Sequence, residues 1–193
     1  MPMSTHDHHS EASKNLAFIR ETMESASSFT AVSGLGTVAV GCVGLLAAWI
    51  AWPYGTETPL GVWIPAAFLA LASAGIGNWV KAKRLDVPMW TGSFRKMAWG
   101  IVPALLAGGA LTLVLTREGA SHLLPGTWLS LYGAGVAAAG TFSVRALRWM
   151  GLVFLGLGVL ALFRPDWGLV LLAVGFGGVH IVSGIFIARS HGG

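Results

Sequence analysis

From residue 31 to residue 189 the chain is built of long apolar runs separated by short polar breaks. A helix rises 1.5 Å per residue, so about 20 mostly apolar residues are needed to cross a hydrocarbon core of about 30 Å. Six runs approach that length, at residues 32–52, 60–80, 97–115, 127–144, 149–163 and 167–188, the fifth being short. The breaks are of the expected kind. Pro53 ends the first run, Lys81, Lys83 and Arg84 follow the second, and Arg117 to Gly126 follow the third. Arg145 and Arg148 follow the fourth, and Arg164-Pro165-Asp166 turns the fifth into the sixth. The pattern predicts an all-α polytopic membrane helical bundle of six transmembrane helices arranged as three hairpins, with Pro103 a candidate kink in the third span.

Ahead of the bundle the period changes. Residues 11–30 read as an amphipathic helix lying at the membrane surface, after a disordered polar tail at 1–10. Leu16, Phe18, Ile19, Thr22, Met23, Ala26 and Phe29 share one arc of the helical wheel, and Arg20, Glu21, Glu24, Ser25 and Ser28 occupy the other. His6, His8 and His9 in the tail are residue types that hold metals, but nothing nearby completes a coordination shell and no metal site is assigned. Residues 190–193 form a short cytoplasmic tail after the transmembrane domain at 31–189.

Composition supports the membrane reading: 54% of residues are hydrophobic and only 10% charged, against about a quarter charged in soluble domains. The net charge of +4 comes with no basic run, so nucleic acid is not an expected partner. One cysteine, Cys42, excludes an internal disulfide. The first residues lack the apolar core of a removable signal peptide. Basic residues set the orientation. With the N-terminus inside, Lys14, Arg20, Lys81, Lys83, Arg84, Arg95, Lys96, Arg145, Arg148 and Arg189 are inner, and only Arg117 and Arg164 are outer. That asymmetry predicts both termini in the cytoplasm. The tryptophans sit at span ends: Trp49, Trp52, Trp63, Trp128 and Trp167 outside, Trp79, Trp90, Trp99 and Trp149 inside.

The three hairpins return inside through similar endings, GNWVKAKR at 77–84, GTFSVRALR at 140–148 and GIFIARSHG at 184–192, which suggests an internal repeat. In the last hairpin, Gly151, Gly156 and Gly158 line the odd span, Pro165 makes the turn, and Gly177 and Gly184 space the even span. These positions resemble the repeat unit of six-span bacterial membrane proteins of the HdeD type. The resemblance implies a bacterial inner-membrane protein connected with acid resistance and carries no catalytic residues. The segment at 14–36 lies outside that pattern and is similar to a segment of uncharacterised bacterial membrane proteins.

Two polar residues stand out inside the spans. His180 lies near the middle of the sixth, on a face shared with Ala173, Gly177, Gly184 and Ala188 that is small enough for close helix contact. It points into the bundle, either as a hydrogen-bonded packing residue or as part of a proton or substrate route. No carboxylate is embedded near it, because Asp166, Glu118, Asp86 and Glu57 all fall in turns or loops. Asn78, near the inner end of the second span, reads as glue between helices. Thr112, Ser130, Tyr132, Thr141 and Ser143 form no catalytic triad in sequence. No catalytic residue and no cofactor is assigned. The expected protein is therefore a non-enzymatic integral membrane protein of the bacterial cytoplasmic membrane, stress-related or a subunit of a membrane assembly. Its partners are the lipid bilayer and a protein partner or a second copy of the chain. The alternative is a small transporter or channel with His180 lining the route.

Overall fold

The computed structural model describes residues 14–16, 18–19, 29–57 and 59–191. The polar tail, Met23 and most of the 11–30 segment, and residues 192–193 lie outside them. Residues 14–16 and 18–19 are helical, with Leu16, Phe18 and Ile19 exposed. The rest of the described chain is helices and their connections, apart from non-helical residues 29–33. Helix α1 spans Gly34–Ala51, α2 Leu60–Arg84, α3 Gly92–Arg117, α4 Leu124–Ala139 and α5 Arg145–Phe163. The last rod comprises α6 (Gly168–Leu172), a π-helical segment (Ala173–Val179) and α7 (His180–His191).

Local chemistry sets several of the ends. The Ser33 hydroxyl caps α1 by accepting from the Gly36 N–H at 3.0 Å, and Thr91 does the same for α3 by accepting from Phe94 at 3.1 Å. The Thr91 cap starts α3 five residues before the expected 97. Its far end stops at Glu118, followed by Gly119 in a left-handed conformation (φ 70°) that glycine adopts without steric cost. Pro65 and Pro103 are carried inside continuous helices.

Among the described residues, five stretches are long and apolar enough to cross a membrane: Gly34–Gly55, Leu60–Arg84, Gly92–Arg117, Arg145–Phe163 and Pro165–Ser190. The expected fourth span differs. Its α-helix has 16 residues and ends at Ala139 instead of 144, because Gly140–Phe142 tightens into a 3₁₀ turn and Ser143 is extended. That extended residue pairs with Phe29. Phe29 is therefore a correction to the surface-helix reading. It is non-helical, 4% exposed, and lies under the bundle beside Phe94, with ring centroids 5.2 Å apart.

One end of the molecule gathers Phe29, Ala31, Val32, Ala82, Val144 and Ile187 into a buried cluster, with Met89, Phe94 and Met97 against it. The starts of α1, α3 and α5 and the ends of α2 and α7 thus lie together. At the other end the 3₁₀ turns Trp52–Glu57, Ser121–Leu123 and Pro165–Trp167 meet. Between them runs the main core of Leu129, Val136, Met150, Phe154, Ala161, Leu171 and Leu172.

Two of the three expected hairpins pack as neighbours, α1 with α2 and α3 with α4, while the third is loose. The most extensive interface joins α4 to α5, and α1 packs along α7 and the π-helical segment. The contact of α5 with the last rod, the expected third hairpin, is much smaller. Glycine explains the choice. A Cβ on Gly151 would stand 2.7 Å from the Gly133 carbonyl oxygen, and one on Gly184 would stand 2.7 Å from the Gly34 carbonyl oxygen. Only hydrogens at these positions let the backbones approach. Helices α2 and α3 lie at the flanks, packed chiefly on α1 and α4 respectively, with few of their residues fully buried. The uncovered residues are apolar, among them Ile64, Phe68, Leu71, Leu106 and Leu113. A lipid environment accommodates such a surface and water does not.

Candidate functional site

The expected inward face of the last rod holds. His180 is 2% exposed and stands at the junction of the π-helical segment and α7. Helix α4 brings Tyr132 to it, with the Tyr132 hydroxyl 2.8 Å from His180 Nε2. His180 Nδ1 lies 3.4 Å from the Gly175 carbonyl, five residues back along its own rod. One tautomer gives every proton an acceptor: Nδ1–H donates to the Gly175 carbonyl and the Tyr132 O–H donates to Nε2. The reverse tautomer would aim a lone pair at a carbonyl and leave the Tyr132 hydroxyl to find another acceptor.

Two phenyl rings close the surroundings. Phe154 from α5 meets Tyr132 edge-on at 4.9 Å and His180 at 5.1 Å, and Phe176 stacks on His180 at 5.9 Å with 15° between planes. Gly175 makes room for this cluster, since a Cβ there would stand 2.6 Å from Leu129 Cδ2 and 3.1 Å from Phe154 Cε1. The arrangement ties α4, α5 and the last rod through one polar bond in an apolar centre. On α4, two residues before Tyr132, the Ser130 hydroxyl is buried without a hydrogen-bond partner, against the α5 backbone at Gly158.

The second polar region lies at the end where Phe29 is buried. Residues 29–33 thread under the helices in extended form, and side chains from α2 and the α4–α5 turn satisfy their backbone. Ser143 Oγ donates to the Phe29 carbonyl at 2.7 Å, and Phe29 N–H donates to the Phe142 carbonyl at 2.8 Å. Lys81 Nζ donates to the Val32 carbonyl at 2.9 Å, and the Ser33 N–H donates to Asn78 Oδ1 at 2.8 Å. Asn78 and Lys81 are three residues apart and so share a face of α2. A small cleft of ≈ 140 Å³ lies beside this strap, lined by Ser33, Leu35, Gly36, Gly77, Val80, Lys81 and Arg84.

His180 and Asn78 do not meet. His180 is tied to α4 in the bundle centre, and Asn78 is tied to the strap at its end. Sequence reasoning placed Tyr132 among generic polar residues and Lys81 among loop charges. The spacing of Asn78 and Lys81 was a usable signal for the strap, whereas nothing local to Tyr132 marks His180 as its partner. Among the described residues, no group of three or more His, Cys, Asp or Glu is positioned to hold a metal ion. Cys42 is exposed on α1.

Among the described residues, fold and site together define an all-helical protein with five helices of membrane-crossing length and apolarity, tied at its centre by a histidine–tyrosine pair. Compared with known proteins, the chain matches no protein-family model, no curated protein and no solved structure.

Proposed function

We propose that this chain is a non-enzymatic protein of the bacterial cytoplasmic membrane that crosses it six times, with both termini inside. Its bundle serves as a packed scaffold for a membrane assembly or for stress tolerance, in contact with a protein partner or a second copy of the chain. The observation that carries the reading is the closed His180 cluster. Both ring nitrogens and the Tyr132 hydroxyl are engaged within the bundle, under Phe154 and Phe176. A ring held in this way is suited to fixing three helices and poorly suited to handling a substrate. The likeness of residues 149–189 to the HdeD-type repeat supplies acid stress as the setting.

The sixth crossing is α4 with its flanking turns. Sixteen α-helical residues reach about 24 Å. The 3₁₀ turns at Ser121–Leu123 and Gly140–Phe142 add about 2 Å per residue, enough for a core of about 30 Å. Its shortness is tolerable because α3 and α5 cover it.

A second reading, a small transporter or channel, draws on the π-helical segment next to His180 and on the unpartnered Ser130 hydroxyl. Both are features that recur at functional sites. Reconstitution separates the two. In sealed vesicles the scaffold reading expects proton and ion leakage no faster than in empty vesicles, for the native chain and for His180→Gln alike. A flux present in the native chain and lost in His180→Gln would replace the scaffold with the transporter.

A further inference from the structure

The cleft between the start of α1 and the end of α2 has a shape and charge that the scaffold reading does not use. Its floor is the closest approach of the two helices, where a Cβ on Gly77 would stand 2.7 Å from the Gly36 Cα. One wall carries Lys81 and the exposed Arg84, and Leu35 and Val80 supply apolar edges. The first turn of α1 points into the same region with no acidic residue to offset its positive end. The last turn of α2 adds Lys83, whose ammonium lies 4.1 Å from the centre of the Trp79 ring. An exposed tryptophan beside a lysine is the side-chain pair expected where the bilayer core meets its headgroups.

We infer that this cleft binds the phosphate of an anionic phospholipid from the leaflet at that end of the bundle. The inference rests on the membrane reading above and adds to it a lipid-specific site. The cleft of ≈ 140 Å³ is smaller than the roughly 300–1,000 Å³ that encloses a drug-sized molecule. It suits a headgroup phosphate whose acyl chains lie outside, along the apolar faces of α1 and α2. Arg84 presents the planar fork that grips two phosphate oxygens, Lys81 adds positive potential from within the wall, and the α1 terminus offers backbone dipoles. Leu35, exposed at the edge of the cleft, and Ile76, exposed one helical turn before Val80 on α2, give the chains an apolar surface to follow. Basic clefts between membrane helices on the cytoplasmic side are a recurring form of phospholipid recognition.

The test uses the full chain in bilayer discs of phosphatidylcholine and phosphatidylglycerol, released for native mass spectrometry to weigh the lipids it retains. The native chain should keep phosphatidylglycerol in preference to phosphatidylcholine. Arg84→Gln should lower that retention roughly tenfold, the usual scale for losing a charge-assisted phosphate contact. Arg84→Lys should fall between the two, and it serves as the readout if Arg84→Gln does not fold. Arg95→Gln, at the same end of the molecule but away from the cleft, should match the native chain. Equal losses in Arg84→Gln and Arg95→Gln, or no loss in either, would overturn the site. So would inorganic phosphate stabilising the detergent-purified chain through Arg84 as well as phosphatidylglycerol does, since the ligand would then be a soluble anion. Flotation with vesicles keeps the two levels apart. A chain that floats without lipid preference loses only the site, and one that does not float loses the membrane reading too.

Discussion

Tyr132 and His180 are 48 residues apart in sequence and 2.8 Å apart in the bundle, and the energetics of that contact decide what each side chain is for. A ring nitrogen buried among phenyl groups has no water to replace a lost donor, so removing the hydroxyl leaves Nε2 unsatisfied. Tyr132→Phe should destabilise the purified protein by about 1–2 kcal/mol, above the roughly 0.6 kcal/mol average for hydrogen bonds between membrane helices. Chemical unfolding in mixed micelles measures it. His180→Phe in the Tyr132→Phe background should recover part of the loss, since both unpaired polar groups are then gone; a purely additive double variant would show that the pair is not coupled. The inward position of His180 was legible from the small residues on its face. Its partner was not, because pairing across helices depends on which helices are neighbours, and residue spacing carries no such information. Phe29 failed for a related reason. Its place on an apolar arc was correct arithmetic for a helix, but the Ser143 hydroxyl and the Phe142 carbonyl offer its backbone an extended alternative.

At the scale of elements, glycine positions choose the partners. Gly133 and Gly151 form the α4–α5 seam, while Gly156, also on α5, faces open space. Gly151→Val should cost about 3 kcal/mol, because the neighbouring atoms are backbone that cannot rotate away. Gly156→Ala on the same helix should gain up to about 1 kcal/mol through helix propensity. Unfolding of the two variants side by side checks this, and equal effects would mean that the seam is misplaced. Five of the six apolar runs were readable as helices of membrane length, because hydrophobicity over some 20 residues is a strong signal. The ends were less so. Thr91 began α3 early through its cap, and the 29–143 pairing cut α4 short. Sequence order and similar endings suffice for the first two hairpins, which pack as neighbours, whereas the tight α4–α5 and α1–α7 contacts follow glycine seams that sequence order does not reveal.

At the scale of the whole molecule, the proposed six-crossing bundle needs α4 to cross the membrane, although its 16 α-helical residues fall short of spanning length on their own. Its ends support this. Gly126 packs on Leu162 and Pro125 on Gly168 at one end, and Phe142 and Ser143 hold Phe29 at the other. Counting α4 places both termini on one face and leaves only Arg117 and Arg164 among the basic residues outside. Omitting it moves the turn at 164–167 inside and the C-terminus out. Thiol labelling decides between these most directly. In a Cys42→Ala background, Glu118→Cys, Asp166→Cys, Asp86→Cys and Ser190→Cys are each exposed to a membrane-impermeant maleimide in intact cells, then after permeabilisation. The six-crossing bundle predicts that cysteines at 118 and 166 react in intact cells, and that those at 86 and 190 react only once the membrane is opened. Labelling at 190 from outside, with 166 protected, would contradict it.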